Sequence, residues 1–166
     1  MGCGKSTIGK EIAKTCDMCF LDTDAWIEEK EQITISEMFA TKGEAYFRQL
    51  ETKCLEVLLE ESNNDKQGDI LGKVISVGGG LPVKEENRQL LKQLGTVIYL
   101  KATEETIYDR LKTDTTRPLL QGDNPKQKIK NLMEVREEFY CQALDFIVEV
   151  DHKGISEIVE EIKKCL

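Results

Sequence analysis

Several features that mark whole function classes are scarce in this chain. One histidine, His152, and one C-x-x-C, Cys16-Asp17-Met18-Cys19, are too few for an ordinary four-ligand zinc site. The six cysteines are scattered and read as reduced structural thiols rather than a disulfide framework. No apolar run approaches the roughly 18 residues of a membrane span. No signal-peptide pattern precedes the first motif, so a cytoplasmic location is expected. Positive charge is also short: 23 Lys and Arg stand against 31 Asp and Glu, a net charge of -8. That balance argues against general nucleic-acid binding and against a polybasic membrane-surface role. It still permits an anionic ligand, because a few placed arginines and lysines make a local positive cleft. Nothing repeats at a fixed period, and no Pro- or Ser-rich linker divides the chain. With 40% hydrophobic and 33% charged residues in 166, one globular domain is expected.

What is present begins at once. Met1-Gly2-Cys3-Gly4-Lys5-Ser6-Thr7 carries most of the phosphate-binding pattern G-x-x-x-x-G-K-[ST]. In such a loop Lys5 reaches the β- and γ-phosphates and the Ser6 hydroxyl takes a place on Mg²⁺. The opening glycine of the pattern and the apolar strand that normally feeds it are missing. From Ser6 to Lys14, Ile8, Ile12 and Ala13 recur at helical spacing, so a helix starts inside the motif with its N–H groups facing a phosphate.

Further along, Cys19-Phe20-Leu21 reads as a short strand delivering Asp22 and Asp24 at its carboxyl end, where open α/β sheets bind ligands. Residues 24–61 read as helical in at least two pieces, with Ser36 as an N-cap and a break at Lys42-Gly43. Phe47, Leu50, Cys54, Leu55 and Leu58 form one apolar face there. Val74-Ile75-Ser76-Val77 is a second strand, running into Gly78-Gly79-Gly80, a backbone that something approaches closely. Val97-Ile98-Tyr99-Leu100 and Phe146-Ile147-Val148-Glu149-Val150 complete four strands. Thr103 and Asn124-Pro125 open further helices, and a terminal helix runs through Ile158, Val159 and Ile162. Residues 112–124 read as a polar loop around Arg117-Pro118. Strands alternating with helices predict an α/β fold, a parallel sheet with helices on both faces.

Two carboxylates at a strand end beside a phosphate loop suit a kinase. One holds the metal's water shell, and the other accepts a proton from the attacking hydroxyl. The competing reading is a solvated turn in which Asp24 caps the next helix. Arg48 and Glu51 are either an exposed i, i+3 pair or part of a site. Arg136 continues the stripe of Ile129, Leu132, Met133 and Tyr140 where a hydrophobe belongs, so it snorkels or points into a cleft toward an anion. Arg117, with Arg110 upstream, is a candidate for neutralising charge on a transferring phosphoryl group.

In order along the chain, Gly2–Thr7, Leu21-Asp22-Thr23-Asp24, Phe39-Ala40, Gly43-Glu44 with Phe47-Arg48 and Glu51, Gly78-Gly79-Gly80, Arg117-Pro118-Leu119-Leu120, and Arg136 with Tyr140 resemble the shikimate kinase family. The resemblance covers essentially the whole chain. It implies a three-layer P-loop kinase fold and transfer of the γ-phosphoryl group of ATP to the 3-hydroxyl of shikimate, in aromatic amino acid biosynthesis. The partner implied is a small molecule, with no nucleic acid or membrane, and the protein is expected as a monomer. By position, Gly2, Cys3, Gly4, Lys5, Ser6 and Thr7 would bind ATP, with Ser6 and Asp22 serving Mg²⁺. Asp24 would hold and deprotonate the acceptor hydroxyl. Arg48 and Arg136 would grip the carboxylate, with Glu51 orienting Arg48. Gly78, Gly79 and Gly80 would offer backbone, and Phe39 and Phe47 would wall the pocket. Arg110 would lie against adenine, and Arg117 would close over the phosphates from the 112–124 lid.

Two departures from the family stand out. The loop Asp151-His152-Lys153-Gly154 has no proline of the kind often found there. Family members also commonly carry an apolar strand and G-F-M-G ahead of the glycine-lysine pair, with Met1 at that methionine. The expectation is that the natural chain extends roughly ten residues upstream to supply a fifth, central strand. The chain as it stands would then leave unpaired backbone on both neighbouring strands and be unstable or inactive alone. Two alternatives have their own tests. A gluconate or nucleoside monophosphate kinase is separated by an acceptor panel, and an inactive nucleotide-binding remnant by ATP binding without ADP release.

Overall fold

The computed structural model describes residues 2–64, 72–112 and 124–166. The P-loop leads into α1 (Lys5–Thr15), which turns Ile8, Ile12 and Ala13 inward at helical spacing. Strand β1 (Cys19–Asp22) is followed without a loop by α2 (Thr23–Glu31). Then come α3 (Ile35–Thr41) and α4 (Glu44–Asn64), separated at Lys42-Gly43 as the sequence indicates. Strand β2 (Lys73–Ser76) runs into the three glycines and a single 3-10 turn at Leu81–Val83. The remaining order is α5 (Glu85–Leu94), β3 (Ile98–Lys101), α6 (Glu104–Leu111), α7 (Pro125–Ala143), β4 (Phe146–Glu149) and α8 (Ile155–Lys163). Thr103 caps α6 through its side chain, and Asn124 caps α7 ahead of Pro125, both as expected.

One local assignment differs from the sequence reading, and one alternative it left open is resolved. The cap of α3 is Thr34, not Ser36. Thr34 Oγ1 accepts from the Glu37 N–H at 3.2 Å while Glu37 Oε2 accepts from the Thr34 N–H at 2.8 Å, a full capping box. Ser36 lies inside the helix because the reciprocal Thr34–Glu37 pair satisfies two orphan N–H groups at once. Asp22, not Asp24, caps α2: its Oδ1 accepts from the N–H groups of Asp24 at 3.1 Å and Ala25 at 3.4 Å.

Among the described residues the strands form two parallel pairs, β1 with β2 and β3 with β4. Cys19 aligns with Lys73 and Asp22 with Ser76, so the carboxyl ends of β1 and β2 finish side by side. Between β2 and β3 lies an opening. Two cavities of about 110 and 180 Å³ occupy it, both touching Lys5, Val77, Ile98 and Leu100. The buried apolar residues fall into separate clusters. Ile8, Ile12, Ile107, Ile129, Val150 and Ile158 pack around α1, and Ile27, Met38, Phe47, Cys54 and Leu58 pack among α2, α3 and α4. No helix among the described residues is long and apolar enough to cross a membrane.

Candidate active site

The site begins with a helix end that lacks its usual cap. Gly4 stands at the N-cap of α1 with φ 92°, a conformation that costs glycine little, and no side chain among the described residues bonds to the first-turn N–H groups. The first turn holds no acidic residue either. An eleven-residue helix with free N–H groups and no competing carboxylate is a seat for an anion. Lys5 lines the adjoining cleft, and Ser6 and Thr7 are exposed beside it. Cys3 is 6% exposed and packs into the core, so only its backbone is available to a ligand. From α6, Arg110 Nη1 donates to the Gly2 carbonyl at 3.4 Å, which sets a positive charge over the loop. Arg117 and the body of the expected lid, residues 113–123, lie outside the described residues.

The parallel register of β1 and the start of α1 bring Ser6 and Asp22 together. The Ser6 hydroxyl donates to Asp22 Oδ2 at 2.7 Å. Asp22 is thereby shared between capping α2 and facing the phosphate loop. A hydroxyl and a carboxylate at a phosphate seat are the hard oxygen donors that Mg²⁺ takes from protein while keeping waters and phosphate oxygens. The donor set fits that ion.

On the far side of the cleft, α4 supplies a clamp. Arg48 Nη1 donates to Glu51 Oε2 at 2.7 Å, and its Nε and Nη2 donate to Glu44 Oε1 at 3.1 and 2.7 Å. Glu51 is 1% exposed. Burial pushes its carboxyl above the ordinary range, Arg48 opposes this, and the nearby Asp24 charge adds to the rise. Burial works against the Arg48 charge, but the bonds to Glu51 and then Glu44 hold its pKa above the usual value. Arg48 also lies 5.4 Å from the centroid of the Phe47 ring, and Phe47 packs on Phe39 with centroids 5.2 Å apart.

The glycine run after β2 fits against these charges. A Cβ on Gly80 would collide with the Arg48 guanidinium, and one on Gly78 would stand 2.8 Å from Asp24 Oδ1 and 3.1 Å from Glu51 Oε1. Gly78 is held by the hydroxyl of buried Thr23, which accepts its N–H at 3.3 Å. The carbonyls of Gly78, Gly79 and Gly80 accept from Leu81 N–H, Tyr140 O–H and Val83 N–H at 3.1, 2.6 and 3.2 Å. Among the described residues, no protein acceptor takes the N–H groups of Gly79 and Gly80. Arg136, from α7, faces the same cleft, and no carboxylate pairs with it among the described residues. The cleft as a whole measures about 700 Å³ and joins Lys5, Ser6, Asp22 and Asp24 to Arg48 and Arg136.

Of the candidate site residues within the described segments, Lys5, Ser6, Asp22, Asp24, Phe39, Phe47, Arg48, Glu51, Arg136 and the three glycines line this one cleft, whereas Gly2, Cys3, Gly4, Thr7 and Arg110 do not. The sequence reading missed Glu44, Thr23 and Tyr140 as supports. Glu44 was readable, four residues before Arg48 on one helix. Thr23 and Tyr140 were not, because each acts on glycines far away in sequence, 55 residues in one case and 61 in the other.

A parallel α/β scaffold, an anion-accepting helix N-terminus led by Gly-Lys-Ser, and a second cationic pocket define a P-loop kinase of a small acidic metabolite. The sequence profile of the shikimate kinase family matches residues 1–166. The shikimate kinase of Sulfurihydrogenibium sp. is 43% identical over 162 residues, covering 98% of this chain and 90% of the relative. That of Alkaliphilus oremlandii is 40% identical over 164 residues, covering 98% and 92%. In structure, shikimate kinase from Acinetobacter baumannii in complex with shikimate superposes with a TM-score of 0.89 at 33% identity, covering 99% of this chain and 87% of that one. A gluconokinase from Sinorhizobium meliloti, at 19% identity and a TM-score of 0.55, shares the fold alone. The chain belongs to the shikimate kinase family, phosphotransferases that use ATP to phosphorylate the 3-hydroxyl of shikimate.

Proposed function

We propose that this chain binds shikimate in the cleft between α4 and α7 and phosphorylates it from ATP seated on the loop Gly2–Thr7. The observation that carries this reading is the single cleft in which Lys5 and Asp24 are joined to Arg48 and Arg136. Two guanidinium groups suit one carboxylate, and the Gly79 and Gly80 N–H groups suit an oxygen acceptor on the same molecule. Glu51 and Glu44 hold Arg48 in place, which lowers the entropy lost when it grips a ligand. Phe39 and Phe47 close the wall and keep water from the acceptor side.

In this arrangement the acceptor hydroxyl is directed at the γ-phosphorus. Its oxygen forms the new P–O bond, the bond from phosphorus to the β,γ-bridging oxygen breaks, and the hydroxyl proton passes to the Asp24 carboxylate. Lys5 and the α1 N-terminus hold the phosphate oxygens, and Arg110 and Arg117 add positive charge to the nucleotide side. Ser6 and Asp22 would hold Mg²⁺, which when bound neutralises phosphate charge. Acting as a cytoplasmic monomer of one domain, with residues 24–61 as the acceptor-binding segment, the enzyme needs no nucleic-acid or membrane partner.

An acceptor panel in a coupled ADP assay tests the reading. Shikimate, gluconate and nucleoside monophosphates are supplied in turn with ATP and Mg²⁺. ADP release with shikimate alone is expected, and it would set aside the expectation drawn from the sequence that the chain is inactive by itself. Turnover with another acceptor, or ATP binding without any ADP release, overturns it.

A further inference from the structure

The three glycine carbonyls are tied off in two different ways. Those of Gly78 and Gly80 close local turns to Leu81 and Val83, whereas that of Gly79 is held by a side chain from a distant helix, the Tyr140 hydroxyl at 2.6 Å. Tyr140 lies behind the glycine run. It lines the small cavity between β2 and β3 and is absent from the lining of the acceptor cleft, while Gly79 borders both. Among the described residues no peptide bond is cis. In a planar trans peptide, C=O and the following N–H point in opposite directions. A Gly79 oxygen directed back at Tyr140 therefore sends the Gly80 N–H forward, toward the acceptor cleft. Glycine has the widest choice of backbone conformations, so three in succession do not hold such an orientation by themselves.

Tyr140 is in turn braced. Its ring packs against Tyr99 with centroids 5.1 Å apart and planes at 50°. The Tyr99 hydroxyl donates to Glu137 Oε2 at 2.9 Å, and Lys101 Nζ donates to Glu137 Oε1 at 2.7 Å. Tyr99 and Lys101 are two apart on β3 and share one face, which fixes Glu137 from a rigid element. Burial raises the Tyr140 phenol above its ordinary pKa although Arg136 beside it pulls the other way, so it stays a donor at neutral pH. Arg136 lies one helical turn from Tyr140 on α7, interacts with its hydroxyl and borders both the acceptor cleft and the small cavity.

We propose that Tyr140 is a positioning residue for the acceptor: its hydroxyl sets the Gly79–Gly80 peptide so that the Gly80 N–H faces the ligand, without touching the ligand itself. The choice of shikimate as ligand rests on the function proposed above, while the peptide orientation does not.

Tyr140→Phe keeps the ring and removes the hydroxyl, with its bond to the Gly79 carbonyl and its contact with Arg136, so the Gly80 amide is the readout specific to the peptide. Two readouts are taken on it: the Gly80 amide resonance of the ligand-free protein, and calorimetric binding of shikimate and of ATP. The expected result is a displaced Gly80 amide resonance, with shikimate binding weakened about fivefold, the loss of roughly one hydrogen bond. ATP binding stays within about twofold, since the hydrogen bond removed is not at the phosphate seat. An unmoved Gly80 amide overturns the proposal whatever the ligands do. Equal weakening of shikimate and ATP also overturns it, because that is general loosening. Wild-type protein that binds ATP and ignores shikimate overturns the acceptor reading instead, and the amide readout still decides the orientation. Should Tyr140→Phe fail to fold, Tyr99→Phe removes only the bond to Glu137. A smaller displacement of the same amide is then expected, and none at all overturns the proposal.

Discussion

Glu51, 1% exposed, holds the Arg48 guanidinium at 2.7 Å, and this buried ion pair sets the acceptor side of the cleft. Three residues apart on α4, the two side chains meet by helix geometry alone. What makes the pair more than a surface contact is its depth, because a carboxylate out of water needs its cation.

Removing Arg48 leaves that carboxylate buried without its cation. Arg48→Ala is expected to destabilise the fold by about 3 kcal/mol at neutral pH. Its Glu51 pKa, already raised by burial, rises further. The native state then binds more protons than the unfolded state at pH values above about 4.5, so stability falls as pH increases through the window up to the raised value. Denaturant melts of Arg48→Ala between pH 4.5 and 7 check this, and a stability that climbs with pH refutes it.

Asp22 has two separable duties, which its variants should divide. Asp22→Asn keeps a side-chain oxygen for the α2 cap but loses the charge facing Ser6. Its melting temperature should stay within about 3 °C of wild type while Mg²⁺-dependent ATP turnover falls by about a hundredfold. Asp22→Ala should lose the same activity and, in addition, about 1 kcal/mol of stability from the missing cap. Thermal melts run alongside ADP assays distinguish the two effects.

Gly80→Ala should displace Arg48 rather than unfold the chain, since the colliding atoms are the end of a flexible side chain. Shikimate binding is expected to weaken by at least about tenfold, with ATP binding kept within about twofold. Titration calorimetry of the two ligands measures the split, and parallel loss of both would exclude this account.

The open edges of β2 and β3 should be visible in hydrogen exchange. Their N–H groups facing the opening should exchange faster than those paired in β1–β2 and β3–β4, by about a hundredfold or more. The half-buried apolar lining from Ile98 and Leu100 should also bind a hydrophobic dye. Uniform protection across both edges would show that the opening is closed in solution.

Much of the site was legible because its parts are local. Gly4-Lys5-Ser6 and the apolar spacing behind it announce a helix N-terminus. Arg48 with Glu51, Asp22 with Asp24, and the three glycines each lie within a few residues, and the oddity of Arg136 shows in its own helical stripe. Where local signals competed, the reading slipped. Thr34 and Ser36 are both good caps, and the reciprocal bond with Glu37 decides for Thr34. Asp22 and Asp24 are both carboxylates, and the end of β1 beside Ser76 decides that Asp22 stands at the helix start.

By itself, then, the sequence determined the alternation of strands and helices, the phosphate-binding helix end and the identity of the charged groups. All of these follow from residue type and short-range spacing. Only the tertiary structure decided that Ser6 meets Asp22 across 16 residues, that Thr23 holds Gly78 across 55, and that Tyr140 holds Gly79 across 61. Those contacts depend on how parallel strands and their crossover helices close long stretches of chain, and no local pattern encodes the closure.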